Sequence, residues 1–298
     1  MSNLVKSNTE YESIQKEIQQ GPSTRKEYYL ALEELFKKPV LSFFTSFVHP
    51  IQIEDEDVVI FEDFLQPINL KKAFILLINS AGGDGEAAER IANMCRRYSK
   101  ENYITVVLGR AKSAATLICF GSEKILMSES AELGPVDPQI FVPLKEGFQR
   151  YSAYNLVNSF NETFEAAVNE DGNLEPYIQQ LTKFSIYDIQ KFQSWIDLSE
   201  DIAVKLLESG MMKGIEASTI RKRIKMFLNP EEKKVHSRAI YAEDCQKCGL
   251  NIEIIDRINK LECWSNLYKL YSRLHNLTNR MEVGKVIEDK ERCFALEV

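Results

Sequence analysis

The chain lacks an apolar run long enough to cross a bilayer, which takes about 20 residues. The longest candidate stretch, residues 40–53, is interrupted by His49 and Pro50. The first residues also lack the apolar segment of a secretory leader. We therefore expect a cytoplasmic protein without a membrane span.

An excess of basic residues is also missing. The 298 residues include 37 lysines and arginines and 44 acids, which gives a formal net charge of −7. A nucleic-acid-binding protein needs a basic surface to meet phosphates. The charge balance argues against a nucleic-acid partner and mainly favours solubility.

No regular spacing joins the six cysteines into a disulfide framework, and a chain of this length does not need one. Cys245 and Cys248 form a Cys-x-x-Cys pair, but no second pair follows at the spacing of a zinc site. We therefore expect reduced thiols and neither a metal nor another cofactor. Metal or redox use of this pair is the alternative.

The stretch around which the chain is organised is residues 74–140. Two apolar runs, residues 74–78 and 103–108, each lead into a loop of small residues and then into a segment with helical spacing. Continuous rather than alternating apolar strands are typical of a parallel sheet that is covered on both faces. The pattern predicts two neighbouring strand–loop–helix units of an α/β fold.

The first loop, Ala81-Gly82-Gly83-Asp84-Gly85, has three glycines in four positions. Glycine lets a backbone approach a ligand closely and adopt positive φ. The N–H groups of this loop can therefore face an oxygen that gains negative charge. The spacing matches neither Gly-x-Gly-x-x-Gly nor a P-loop, and a tight turn without a ligand is the structural alternative.

The second loop ends at Ser113, which precedes Ala114 and Ala115 at the start of a helix. A serine in this position is most often an N-cap, but it also resembles a nucleophile raised at a strand-to-helix turn, although Gly-x-Ser-x-Gly is absent. Sites in parallel sheets form beyond the carboxyl ends of the strands. We therefore expect the glycine amides and this hydroxyl around one crevice, which is the geometry of acyl transfer.

Three segments, residues 78–88, 111–118 and 133–139, together resemble the Clp-fold serine peptidases. Within that group they are most similar to the serine dehydrogenase proteinase family, which is related to signal peptide peptidase and to the Clp protease proteolytic subunit. The resemblance covers residues 40–140 and, more weakly, residues 236–251. It implies a ClpP/crotonase-like spiral of β-β-α units, a homo-oligomer, and a peptide or protein substrate.

The same resemblance implies a catalytic nucleophile at Ser113 and an oxyanion hole at Gly82 and Gly83, with the amide of Ala114 as a further donor. We therefore expect a serine hydrolase of the peptidase class. The family usually has glycine where this chain has Ala115, and the added methyl group narrows the expected site.

The sequence leaves the general base open. His236 lies in a segment that resembles the family's histidine-containing segment, and an imidazole has a suitable pKa near neutral pH. Lys145 and Lys112 are the lysine alternatives, and a lysine base must be substantially buried to lose its proton. Asp137 is a candidate to orient a histidine or to hold the proline-containing loop around it.

Two other functions remain as alternatives. The missing base and Ala115 favour a catalytically inactive Clp-fold scaffold that binds peptides or partner proteins. An acyl-CoA enzyme on the related crotonase fold would use the same backbone amides without a nucleophile.

We divide the chain into three parts. Residues 1–38 are polar, have helical patterning, and are predicted to form an N-terminal helical arm. Residues 39–255 are the predicted ClpP/crotonase-like domain, with a helical insertion at about 152–230 in which Ser199 marks a helix start. Residues 256–298 are predicted to form a C-terminal helix and, from Gly284, a loose tail.

Overall fold

Strands and helices alternate along the chain. The computed structural model describes residue 14 and residues 21–67, 73–99, 102–143, 148–229, 239–255, 261–280 and 282–298. The strands are β1 (Val40–Thr45), β2 (Ile75–Asn79), β3 (Ile104–Val107), β4 (Arg110–Ala111), β5 (Lys124–Met127), β6 (Glu132–Leu133), β7 (Gln139–Pro143), β8 (Phe148–Ser152), β9 (Ile240–Tyr241), β10 (Ile252–Ile254), β11 (Val283–Glu288) and β12 (Cys293–Glu297). The helices, after a 3₁₀ turn at Pro22–Thr24, are α1 (Lys26–Phe36), α2 (Glu56–Leu65), α3 (Gly85–Arg97), α4 (Ala114–Phe120), α5 (Ala153–Val168), α6 (Glu175–Leu181), α7 (Ile186–Ser209), α8 (Ala217–Arg223), α9 (Lys225–Leu228), α10 (Ala242–Lys247) and α11 (Leu261–Arg280).

The central sheet has the strand order β10-β5-β3-β2-β1-β11-β12. Its strands run parallel from β10 to β1, whereas β11 and β12 are added antiparallel. β1, β2 and β3 are buried at every position, because helices cover both faces of the sheet. The apolar runs of the sequence therefore predicted the centre of this sheet correctly.

Each face of the sheet has its own helices and its own core. α1 and α11 pack on one face, where Tyr29, Leu32 and Leu270 are fully buried. α2, α3, α4 and α7 pack on the other face, in a larger core that includes Ile91 and Leu207. Within the described ranges, no helix has the length and hydropathy that a bilayer crossing requires.

A second, smaller sheet accompanies the central one. β4 follows β3 and β6 follows β5, and these two short strands pair with β9 in the order β4-β6-β9. Ser80, directly after β2, forms a bridge to Ala111 and so begins the same layer. β2 is therefore followed by a bridge in the small sheet and then by α3, and β3 is followed by β4 and then by α4. β5 is followed by β6 in the same small sheet. This arrangement confirms the predicted spiral of β-β-α units.

A hairpin and three helices separate β6 from the small helices α8 and α9. β7 pairs antiparallel with β8, and α5, α6 and α7 follow. Ser185 starts α7 in a capping box with Asp188. The predicted helix start at Ser199 is wrong, because α7 continues through this residue and the Ser199 hydroxyl donates a hydrogen bond to the Val136 carbonyl instead.

The predicted loose tail after Gly284 is also wrong. β11 lies antiparallel to β1, with Val286 opposite Phe44, and Val286 and Ile287 are fully buried. The polar residues that suggested disorder are used in the fold, because Lys285 and Glu288 each enter a buried ion pair. The C-terminal hairpin therefore extends the central sheet.

Two buried ion pairs connect this hairpin to distant parts of the chain. Arg25, just before α1, binds Glu288 through two bonds, 2.8 Å from Nε to Oε1 and 2.6 Å from Nη2 to Oε2. Lys285 Nζ lies 2.9 Å from Oδ2 of Asp57 in α2. The four side chains are only 1% to 8% exposed. Burial raises the pKa of the Asp57 carboxyl, although Lys285 acts to lower it. A buried Asp57 carboxylate without Lys285 would therefore be strongly destabilising.

Replacing Lys285 by methionine is expected to lower the free energy of unfolding by about 3–5 kcal/mol, because it leaves the Asp57 carboxylate buried and uncompensated. Urea unfolding measures this loss. The double variant Asp57→Asn/Lys285→Met is expected to be more stable than Lys285→Met alone. Lys26→Met, which removes an exposed pair with Glu291, is the control and should change stability little. Equal midpoints for Lys285→Met and Lys26→Met would contradict the role of this pair.

Candidate active site

The two predicted loops open into one cleft at the carboxyl ends of β2 and β4. The cleft has a volume of about 590 Å³. Gly82, Gly83, Ser113 and Ala114 line it on one side. The other walls come from the loop after β6 and from α7, through Gly134, Pro135, Val136, Pro138, Gln139, Trp195, Leu198, Ser199 and Ile202. The glycine amides and the serine hydroxyl therefore share a crevice, as the sequence predicted.

Gly82 lies directly against the serine turn. A Cβ atom built on it would be 2.7 Å from the Ser113 Cβ and 2.7 Å from the Lys112 carbonyl oxygen. Its φ of +102° also belongs to the region that side chains rarely adopt. Any other residue at position 82 would push the two loops apart.

Gly83 is fixed from the opposite side by the backbone of Ile53. Its φ is +152°, and an added Cβ would be 2.3 Å from the Ile53 carbonyl oxygen. The Ile53 N–H donates to the Gly82 carbonyl, and the Asp84 N–H donates to the Ile53 carbonyl, both at 2.9 Å. The glycine loop is thus held between the backbone of Ile53 on one side and the serine turn on the other.

Two N–H groups beside Ser113 have no acceptor in the part of the chain that the structure describes. They belong to Gly83 and Ala114. The Gly82 N–H, in contrast, donates to Ser80 Oγ at 3.1 Å, and this oxygen also bonds with Thr45 Oγ1 at 2.8 Å. Backbone N–H groups in a folded protein are normally paired. Gly83 and Ala114, two of the three predicted oxyanion-hole residues, thus line the cleft and carry open amides.

Ser113 has an unusual backbone conformation, with φ 50° and ψ −118°. Its carbonyl accepts from the Leu117 N–H at 3.2 Å, so the residue begins α4 through its backbone. Its side chain makes no capping bond, and within the described ranges its hydroxyl has no hydrogen-bond partner. A strained serine at a strand-to-helix turn has the geometry of a nucleophile elbow.

Lys112 does not point its amine at this hydroxyl. Lys112 Nζ lies 2.7 Å from Oε1 of Glu132, with both side chains less than one-fifth exposed, and 3.5 Å from the Leu133 carbonyl oxygen. The Lys112 side chain is thus taken up in an ion pair that joins the residue after β4 to β6. The other two candidate bases, Lys145 and His236, lie outside the described residues.

Asp137 is buried beside the cleft and holds its wall. The carboxylate is 2% exposed; it accepts from Gln139 Nε2 at 3.1 Å and from the Tyr154 N–H at 3.4 Å. These bonds join the loop after β6 to the start of α5. An orienting contact between Asp137 and His236 involves a residue outside the described ranges and remains a prediction.

The sequence analysis missed Thr116, which anchors the cleft. Its oxygen lies 2.8 and 2.9 Å from the carbonyl oxygens of Ala111 and Gly134, which share its one proton, and it accepts from the Gly134 N–H at 3.2 Å. This fully buried hydroxyl ties the first turn of α4 to the opposite loop. Only the position of Thr116, one turn after the serine, hinted at this role.

The Cys-x-x-Cys pair lies apart from the cleft. Cys245 and Cys248 are both buried, and burial raises the pKa of the Cys245 thiol, which makes the thiol unreactive. Among the described residues, no group of three or more His, Cys, Asp or Glu side chains is arranged to hold a metal ion.

A strained serine therefore lies beside two backbone amides that have no acceptor among the described residues, on a spiral of β-β-α units. Residues 25–151 match the family model of the ClpP-like SDH-type serine proteinases. The match takes in both loops and covers less than half of the chain. It confirms the resemblance to the serine dehydrogenase proteinase family and supports a peptidase.

Two curated relatives are uncharacterized proteins of Methanocaldococcus jannaschii. One is 36% identical over 106 residues, or 36% of this chain and 34% of the relative. The other is 26% identical over 160 residues, or 52% of this chain and 51% of the relative. The chain therefore spans about a third to a half of the length of these relatives.

A solved structure of the membrane-bound stomatin-specific protease 1510-N, a serine-to-alanine mutant, aligns with a TM-score of 0.39 and 16% identity. The alignment covers 70% of this chain and 78% of that protein. A likeness of this degree is too low to transfer residue roles.

The strain at Ser113 predicts an order of stability between two variants. Ser113→Gly is expected to be about 1 kcal/mol more stable than Ser113→Ala, because glycine tolerates positive φ. Thermal or urea unfolding measures the difference. Ser194, exposed inside α7, is the control, since glycine there should be about 1 kcal/mol less stable than alanine. The same order at both positions would show that Ser113 is not strained.

Proposed function

We propose that the chain is a serine peptidase with Ser113 as its nucleophile. The observation that carries the proposal is a partly exposed serine hydroxyl, raised on a strained turn, next to the open amides of Gly83 and Ala114. The match of this segment to a family of ClpP-like serine proteinases supports a peptide bond as the target.

In the proposed reaction, Ser113 Oγ bonds to the carbonyl carbon of a peptide while its proton passes to a base. The C=O π electrons move to the carbonyl oxygen, and the amides of Gly83 and Ala114 donate to this oxyanion. The oxyanion then reforms the carbonyl and expels the amine, which takes up the proton. A water molecule repeats the attack on the acyl-enzyme and frees Ser113.

We propose His236 as the base and Asp137 as the residue that orients it. Described residues on both sides of position 236 support this choice. The Phe227 carbonyl accepts from the Val136 N–H at 2.9 Å, and Ile240 pairs with Leu133. His236 lies four positions before Ile240, and the covalent chain limits the distance between them to about 14 Å. The described residues on either side of position 236 thus pair with β6 and the loop after it, which supports His236 as the candidate base.

The homo-oligomer and the cytoplasmic location remain predictions. Exposed large apolar side chains on the helical insertion support an interaction surface, because burying such side chains against a partner is favourable. They include Phe164, Val168, Ile178, Ile186 and Tyr187, which are 49% to 71% exposed.

Ser113→Ala is expected to abolish both peptide hydrolysis and labelling by a serine-reactive fluorophosphonate, because the attacking oxygen is lost. In-gel fluorescence and mass spectrometry of the labelled peptide measure this. Ser199→Ala is the matched control: it is another serine along the cleft, and its hydroxyl is engaged with the Val136 carbonyl, so labelling should persist.

Three results would contradict this function. Labelling of Ser113→Ala at the wild-type level would exclude Ser113 as the nucleophile. A wild-type protein that resists the probe but retains specific peptides would favour the inactive scaffold. Thioester turnover that survives Ser113→Ala would favour an acyl-CoA enzyme.

His236→Gln is expected to lower kcat/KM by about 10²–10⁴, the usual contribution of a general base. Wild-type activity should rise with pH as the imidazole loses its proton, and the variant should lose this limb of the profile. His49→Gln and His275→Gln remove the other two histidines and should keep the profile. An unchanged pH profile in His236→Gln would leave Lys145 as the candidate base.

A further inference from the structure

Arg110 places an exposed guanidinium close to the serine turn. It lies in β4, three residues before Ser113, and its side chain faces solvent. The guanidinium carbon is 3.7 Å from the centre of the Phe47 ring. Stacking on an aromatic ring holds a guanidinium in place while its N–H groups remain available.

The Arg110 side chain lies where two surface depressions meet. It lines the cleft that contains Ser113, and it also lines a neighbouring groove of about 390 Å³. The outer wall of this groove is aromatic and consists of Trp264, Tyr268 and Tyr271 from α11. A peptide that extends from Ser113 into the groove therefore passes the guanidinium.

The nearest acid on the small sheet is already used. Glu132 is opposite Arg110 in the register of β4 and β6, yet its carboxylate binds Lys112 Nζ at 2.7 Å. Within the described ranges, no carboxylate lies at ion-pair distance from Arg110. These three side chains together carry one uncompensated positive charge.

The other groups around Arg110 do not cancel this charge. Burial, and then the charge of Arg110, lowers the pKa of His275. Burial raises the pKa of Tyr271, which keeps its hydroxyl neutral. Across the cleft, Asp84 caps α3 by accepting from the Glu86 and Ala87 N–H groups at 2.7 and 2.9 Å. Asp84 and Glu86 both lie at the positive end of that helix, which offsets them.

We infer that Arg110 selects the substrate by binding a peptide carboxylate, either an acidic side chain or the C-terminus. This inference rests on the proposed peptidase function. A guanidinium binds a carboxylate through two parallel hydrogen bonds, and the aromatic wall of the groove receives the apolar part of the same residue. Arg110 is therefore a specificity residue that leaves the reaction itself to Ser113.

The test measures binding in the full chain with Ser113→Ala, so that no peptide is cut. The probes are fluorescent peptides of one sequence in which a glutamate, or the matching glutamine, is moved along the chain. Each is made with a free and with an amidated C-terminus, and affinity is read by anisotropy. We expect at least tenfold tighter binding of one acidic form than of its neutral match, and a smaller ratio at high salt.

Adding Arg110→Gln should remove this preference, whereas Arg110→Lys should restore part of it, because lysine keeps the charge but not the paired hydrogen bonds. Arg90→Gln changes the net charge equally at an exposed site outside the cleft and should keep the full preference. If glutamate peptides bind more tightly than glutamine peptides, Arg110 binds an acidic side chain. If peptides with a free C-terminus bind more tightly than amidated ones, Arg110 binds the C-terminal carboxylate.

Equal affinity for acidic and neutral peptides, or no binding of any acidic peptide, would overturn the inference. So would a preference that survives Arg110→Gln. Fluorophosphonate labelling separates this failure from that of the proposed function. If Ser113 is labelled in both the wild type and Arg110→Gln while no acidic preference exists, the peptidase stands and the role of Arg110 falls. If the wild type is not labelled, the nucleophile fails, and the binding measurement still decides the role of Arg110.

Discussion

The close approach of Gly82 to the serine turn is the contact on which the candidate site depends. It holds the glycine loop against the serine turn, and a Cβ atom at position 82 would lie 2.7 Å from the Ser113 Cβ. The loop cannot retreat, because its other side rests on the Ile53 backbone. Oxyanion stabilisation relies on donors that are in place before the reaction, so a loop fixed on both sides suits it.

Strain at Ser113 has to be balanced by the surrounding structure. Helix α4 is buried at every residue, and Thr116 ties its first turn to both Ala111 and Gly134. These contacts hold the turn although the backbone of Ser113 lies outside the favoured regions. The Ser113 side chain makes no hydrogen bond to the described part of the protein. The strained turn therefore leaves its hydroxyl unpaired beside the cleft.

Features set by neighbouring residues were predictable from the sequence, and features set by distant partners were not. The apolar runs predicted β2 and β3, and the glycine and serine loops predicted the cleft, because each of these patterns lies within a short segment of the chain. The C-terminal hairpin was missed because the charges of Lys285 and Glu288 are matched by Asp57 and Arg25, more than 200 residues away. The sequence also did not predict that the Gly82 N–H donates to Ser80 Oγ or that Lys112 pairs with Glu132.

The pairing of Lys112 with Glu132 beside the serine depends on the absence of a side chain at Gly134. Arg110 lies in β4 and Lys112 directly after it, and Glu132 on the neighbouring β6 pairs with Lys112. A Cβ atom on Gly134 would lie 2.5 Å from the Lys112 Cδ, so this glycine makes room for the lysine stem. With the stem in that space, the lysine amine reaches Glu132 and the Leu133 carbonyl, and Arg110 is left to stack on Phe47. Gly134, which lines one wall of the cleft, therefore also leaves the space in which Lys112 reaches Glu132.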